Sequence, residues 1–190
     1  MHKKIKVLLI SAVAAGLCIW GISYHTSQEV IKRSPIADYV DARDRDFVLH
    51  LFDENWYWLL THGRDEYSPE FMLDHRSRTQ DPKDFGKLTL KVFLVEDQPV
   101  GFVGYLMETF FKGKVLFLAV DSPQRGNRFG EQLLRYACKA LFEKGARVVQ
   151  LLTRTDNKSA QALYKRVGFK VVWKNEGFVY FEVKPDTFKE

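Results

Sequence analysis

Cysteine is almost missing from this chain. Cys18 lies in an apolar N-terminal stretch, and Cys138 falls on the core side of an amphipathic segment. Two thiols so placed give no disulfide framework and no metal-ligand spacing, so no metal is expected. Cys138 reads as a small buried hydrophobe rather than a nucleophile. The body of the chain also lacks a dominant charge. Residues 1–33 carry Lys3, Lys4, Lys6, Lys32 and Arg33 against Glu29, a net +4 of the chain's +5, which leaves the remainder at +1. Such a body has no basic face to pair with phosphates along a duplex, so no nucleic-acid partner is expected. No internal repeat or low-complexity tract is present. The 190 residues suffice for one ordinary domain with an appendage.

The appendage is residues 1–33. His2 to Lys6 is basic, and Val7 to Ile22 is a 16-residue run without a charge. A basic start before an apolar run marks a signal peptide or a membrane anchor. A spanning helix takes about 17–25 apolar residues, so this run is at the short limit. The chain is expected to be membrane-associated through residues 7–22, with Ser23 to Ser34 as linker. The lysines before the run predict the N-terminus inside and the body outside.

From residue 34 to 190 the composition is that of a folded domain. Pro35 to Val40 predicts a short strand. Asp41 to Thr61 predicts a helix with Asp41 as N-cap, its face formed by Val48, Leu51, Phe52, Asn55 and Leu59. Gly63 is expected to end it in a left-handed conformation. Ser68-Pro69-Glu70 is a helix start, with cap, proline in the first turn and acid at the positive end. Leu88 to Val95 and Val100 to Met107 predict a hairpin turning through Glu96 to Pro99. Phe111-Lys112-Gly113 is expected to turn the chain into the next strand, Val115 to Val120.

That strand opens the unit on which function depends. A polar loop follows it, then the amphipathic segment with Leu133, Leu134, Ala137, Cys138, Leu141 and Phe142 on one face, then a second apolar run, Val148 to Leu152. The loop contains Arg125, Gly126, Asn127, Arg128, Phe129 and Gly130. Gly126 and Gly130 permit backbone conformations that other residues resist. Backbone N–H groups converging at a helix N-terminus, with two arginines beside them, make an anion site suited to a diphosphate.

Val120, Pro123, Arg125, Gly130, Leu133 and Leu134 together resemble the acetyl-CoA motif of the GNAT N-acetyltransferases. In the middle-glycine position this chain has Arg128. Downstream, Asn157, Ala160, Leu163, Tyr164, Gly168 and Phe169 match the second signature of that family at each named position. The resemblance is specific from Val115 to Phe169 and extends over roughly Pro35 to Val183.

The resemblance implies an α/β fold with a central mixed, mostly antiparallel sheet flanked by helices. It implies two parallel strands, Val115–Val120 and Val148–Leu152, that splay around the cofactor. Leu118 and Val120 would pair with the pantetheine arm. Arg125, Gly126, Asn127, Arg128, Phe129 and Gly130 would hold the diphosphate, and Asn157 would hydrogen-bond the cofactor. The implied reaction is direct acetyl transfer from acetyl-CoA to a primary amine, with Tyr164 as the acid for the leaving thiolate and the Leu118 N–H as oxyanion donor. The strand that carries a glutamate base in many members has no acid here. Glu108, at the end of the preceding strand, is the substitute candidate. Asn55-Trp56-Tyr57-Trp58 offers aromatic lining for an acceptor pocket, though most of those rings are expected to cover the sheet. The competing reading is a non-catalytic module of this fold that binds an acyl-CoA or a partner, motivated by Arg128 and by the absent strand glutamate. An acetyl-CoA enzyme outside the cytoplasm conflicts with the lysine rule. Either the orientation is inverted, or the segment only tethers the domain, or the cofactor is supplied another way.

Overall fold

The computed structural model describes residues 34–61, 63–76 and 85–189. The membrane-anchor expectation for residues 7–22 lies outside the described residues. Among these, no helix is long and apolar enough to cross a membrane.

Seven strands of the described residues form one sheet in the order β1-β2-β3-β4-β5-β7-β6. They are β1 (Ile36–Asp38), β2 (Thr89–Val95), β3 (Gln98–Thr109), β4 (Lys112–Val120), β5 (Val148–Arg154), β6 (Lys170–Lys174) and β7 (Phe178–Val183). Each neighbouring pair is antiparallel except β4 and β5. Four α-helices among the described residues flank the sheet: α1 (Asp41–Leu59), α2 (Pro69–His75), α3 (Phe129–Glu143) and α4 (Lys158–Val167).

Burial follows the period of each element. In β5, Val149, Leu151 and Thr153 are buried while the residues between them are only half-buried. With Val179, Phe181 and Val183 of β7, Val149 and Leu151 pack under Leu133, Leu134, Ala137, Cys138 and Leu141 of α3 and Val167 of α4. On the other face, Val48, Leu51 and Phe52 of α1 and Leu73 of α2 pack on Leu90, Val92, Phe102, Phe117 and Ala119. The spacing of α1's apolar residues therefore marks the face that is buried.

Several boundaries differ from the sequence reading, each for a physical reason. The N-cap of α1 is Val40 rather than Asp41. Fully buried Asp44 takes over the capping work by accepting the Val40 N–H at 2.8 Å, while Asp41 accepts from the Tyr39 hydroxyl at 2.9 Å. The helix ends at Leu59, with Leu60 extended, so Gly63 has no left-handed role (φ −62). The first hairpin turns on Glu96 and Asp97 alone, both at positive φ (51 and 61), as tight two-residue turns require. Pro99 belongs to β3. The next turn is Phe110-Phe111, so Lys112 and Gly113 are already strand. Gly113 fits because a Cβ there would lie 2.9 Å from Leu141 Cδ1 of α3. The Ser68 cap is present, its hydroxyl accepting the Phe71 N–H at 3.1 Å with Pro69 in the first turn.

Candidate active site

The site begins where a ladder stops. The parallel pairing of β4 with β5 covers only Lys112–Val148, Gly113–Val149 and Lys114–Gln150. Beyond Lys114 the two strands diverge, and among the described residues the edge of β4 from Val115 to Val120 has no strand beside it on that side. Against β3 the register slips at the same level: Gly104 faces Phe117 and Tyr105 faces Val115, which leaves Leu116 as an extra, bulged residue.

A cavity of about 900 Å³ opens in this divergence. Its floor is β4 from Lys114 to Val120 and β5 from Leu152 to Arg154. One wall comes from the loop after β4 and from α3 and α4; the other comes from the end of α1 and the turn after it. Those walls stand on opposite faces of the sheet, because α3 and α4 pack on one face and α1 and α2 on the other. The cavity therefore passes through the gap and joins the two faces.

The α3 wall carries most of the anion-site residues. Leu118, Val120, Arg125, Gly126, Arg128, Phe129 and Gly130 line the cavity. Asn127 does not; its Nδ2 donates to Gln124 O at 3.2 Å and closes the loop. The left-handed positions are Gly126 (φ 91) and Arg128 (φ 60), not Gly130, which is already helical. A Cβ at Gly130 would meet Val120 Cγ2 at 3.4 Å, an ordinary contact, so within this structure neither backbone nor space demands glycine there. Arg128 is the N-cap of α3 and offers no side-chain cap, so the helix's first N–H groups are left for an external acceptor. Open N–H groups, two lining arginines and an unpaired strand edge fit a diphosphate with an extended amide arm.

Arg125 does more than face an anion. Its Nε donates to Val120 O at 3.1 Å, and its Nη2 donates to Asn55 Oδ1 at 2.8 Å. Asn55 belongs to α1, where φ −120 and ψ 18 break the helical geometry. Sequence reasoning placed Asn55 on the helix's core face and missed this role; the signal was a polar residue at an apolar position.

Tyr164 stands on α4 between Asn157, whose Oδ1 accepts the Ala160 N–H at 3.1 Å as N-cap, and Gly168, whose φ of 106 ends the helix. Both residues lie where the sequence placed them. Asn157 and Tyr164 line the cavity. Burial pushes the Tyr164 hydroxyl up to about 12, against a smaller opposite pull from its hydrogen bond with Thr153. At neutral pH this group is a proton donor.

Glu108 is elsewhere. It sits near the β3–β4 turn, at the closed end of the strand pair, and it does not line the cavity. It pairs with Lys114 at 3.2 Å and Lys112 at 3.5 Å. Burial alone would raise its carboxyl, but the bonds and charges of the two lysines outweigh that and hold it below the usual carboxylate range. The carboxylates that do line the cavity are Glu131 and Glu66. Glu131 is taken up by Arg135 at 2.7 Å and Arg166 at 3.3 Å, and the hydrogen bond from Arg135 leads in lowering its pKa. Glu66 lies on the 3-10 turn Arg64–Glu66 on the α1 wall, beside Tyr67, whose hydroxyl burial pushes up to about 12. No periodic pattern marks a turn this short, so sequence reasoning had no purchase on Glu66. Of the aromatic cluster, Trp58 lines the cavity, Trp56 packs on the core, and the Tyr57 hydroxyl donates to Asp156.

The profile of the acetyltransferase (GNAT) family matches residues 46–169. N-alpha-acetyltransferase MAK3 of Arabidopsis thaliana is 41% identical over 59 residues, 31% of this chain and 31% of that protein. Human N-alpha-acetyltransferase 30 is 42% identical over 60 residues, 32% of this chain and 17% of that protein. The chain thus spans a third or less of these relatives. The crystal structure of PaiA N-acetyltransferase from Thermoplasma acidophilum in complex with coenzyme A superposes with a TM-score of 0.65 at 21% identity, covering 78% of this chain and 97% of that one.

Proposed function

The chain belongs to the acetyltransferase (GNAT) family, and from that membership we propose that it transfers an acetyl group from acetyl-CoA directly to a primary amine. The observation that carries this reading is the cavity through the splayed β4–β5 gap, with the anion loop on one side and the α1 wall on the other. Acetyl-CoA supplies the activated acetyl group. Arg125, Arg128 and the N–H groups at the start of α3 hold its diphosphate, and the open edge of β4 takes its amide arm as a missing strand would. The Leu118 N–H donates to the oxygen that gains charge during attack. Tyr164 places a proton where the thiolate leaves. On the opposite wall, Glu66 removes the proton from the incoming amine, directly or through a water.

The amine acceptor is inferred to be the α-amine of a peptide or protein. The matched segments of the two N-alpha-acetyltransferases support this, as does the α1 wall: Trp58, Leu59, Leu60 and Tyr67 are suited to a chain with apolar side groups, and Glu66 is its only carboxylate among the described lining residues. The apolar run at residues 7–22 supports a membrane tether, which a reporter fused to the C-terminus would place on one side or the other.

The test is acetyl transfer by the full chain to three probes: a peptide with a free N-terminus, the same peptide blocked at its N-terminus but bearing a lysine, and a small alkylamine. Transfer to the first alone is the expected result; transfer only to the others redirects the acceptor assignment. A second reading, a module that binds acyl-CoA without catalysis, is favoured by Arg128 in a left-handed conformation and by the absence of any acid in β4. CoA binding without transfer to any of the three probes supports that reading instead.

A further inference from the structure

Helix α1 is bent at a residue that also touches the cofactor side. The Asn55 side chain is 8% exposed, and its Nδ2 donates to Leu51 O at 3.0 Å, the carbonyl that the residue's own N–H serves in a regular helix. A side-chain amide that captures the carbonyl one turn back is a recognised cause of a kink. Its Oδ1 is then turned outward and filled by Arg125 Nη2 at 2.8 Å. Arg125 lies in the anion loop, seventy positions away in sequence. The residues after the bend, Trp58 to Thr61, are acceptor wall. Arg154 of β5 also fastens this stretch, donating to the carbonyls of Tyr57 and Leu60, and Leu60 is buried in the core beneath it.

We propose that Asn55 is a positioning residue that couples the two halves of the site: anchoring of Arg125 by the cofactor diphosphate fixes the bend of α1 and with it the acceptor wall. The guanidinium has five N–H donors in a rigid plane. Two are engaged by Val120 O and Asn55 Oδ1, and the others remain for a diphosphate. One rigid group thus serves loop, strand and helix together. Any order that CoA imposes on Arg125 reaches Asn55 without a conformational relay. By linkage, an acceptor that favours the fixed wall must also favour CoA binding. The inference rests on the acetyl-CoA reading above.

Hydrogen exchange of the full chain, with and without saturating CoA, tests this without knowledge of the acceptor. In the wild type, CoA is expected to slow exchange over residues 121–130 and also over residues 56–61, the latter by at least about fivefold, the low end of ordinary coupling between sites. In Asn55→Leu the slowing over 121–130 stays and that over 56–61 is lost. Should Asn55→Leu fail to fold, Asn55→Ala removes the same contact without the added bulk and is read the same way. Equal slowing over 56–61 in wild type and Asn55→Leu overturns the inference. So does protection of 121–130 alone in the wild type, which leaves the acetyl-CoA reading standing. No slowing at either segment overturns both.

Discussion

At the scale of single residues, three groups carry separate expectations. On the proposed mechanism Tyr164 donates a proton late in the reaction, so Tyr164→Phe should lower kcat by roughly 10²-fold or more while the CoA Kd stays within a few-fold; unchanged kcat would remove its acid role. On the same proposal Glu66 acts on the amine, so Glu66→Gln should lower kcat/KM by a similar factor at neutral pH. Part of the loss should be recovered at higher pH, where more of the amine is already neutral; a pH-independent loss would point to a structural role. Arg128 holds a left-handed conformation that costs an L-residue about 1–2 kcal/mol. Arg128→Gly should release part of that strain and raise the Tm by a degree or a few, while weakening CoA binding several-fold through the lost charge. Calorimetry and a CoA titration of the same preparation would show both. Tighter CoA binding in the glycine variant would mean that the arginine contributes nothing to the anion site. Of these residues, Tyr164 and Arg128 were legible in the sequence, because each sits at a fixed offset in a recognisable pattern. Glu66 was not, because a three-residue turn leaves no periodicity. Glu108 lies at the strand end where the sequence put it, but that this is the closed end of the strand pair is decided by register, which no local pattern shows.

At the scale of elements, the helices with strong end signals were the readable ones. Asn157 and Gly168 bound α4 as their chemistry dictates, and the apolar stripe of α3 is the face that is buried. The position of Tyr164 depends on these ends. A Cβ on Gly168 would lie 2.1 Å from Thr187 O, at a φ of 106 that side chains resist. Gly168→Ala should therefore destabilise by well over about 1 kcal/mol and lower activity together with the melting temperature; full activity with an unchanged melt would show that the C-terminal segment yields instead. Helix α1 was readable only in part. Its buried face follows the 3.6-residue period, but the bend at Asn55, whose amide takes the Leu51 carbonyl, is tied at its other end to Arg125 by a contact that no local pattern encodes. The same holds for its ends: Asp44, inside the first turn, caps the helix in place of Asp41.

At the scale of the molecule, the titration behaviour follows from the buried hydroxyls. Burial is the main cause raising Tyr39, Tyr67, Tyr105, Tyr164 and Cys138, with Tyr67, Tyr105 and Tyr164 pushed up to about 12. The unfolded chain releases these protons near pH 10 for tyrosine and somewhat lower for cysteine, before the folded chain does. Between those values the folded state binds more protons, so stability falls as pH rises. Chemical denaturation should give a flat stability from neutral pH to about pH 9 and a steep loss between pH 10 and 12; a flat profile to pH 12 would mean these groups titrate as if exposed. Fold class was legible at this scale because two motifs in the right order bracket one crossover. The passage of the cavity from one face of the sheet to the other was not, since it depends on where a ladder of three residue pairs ends.

That short ladder also bears on how the protein keeps company with other chains. An unpaired strand edge is a template for addition of a foreign strand, and proteins usually blunt such edges with charge, proline or a covering element. From Val115 to Val120 the β4 edge has no charge and no proline, because the feature that would protect it would also close the cleft. The bulge at Leu116 and the short reach of the gap are the protection that remains. A ligand seated there would stand in for the missing neighbour, and would shield the chain from aggregation as long as it stays bound.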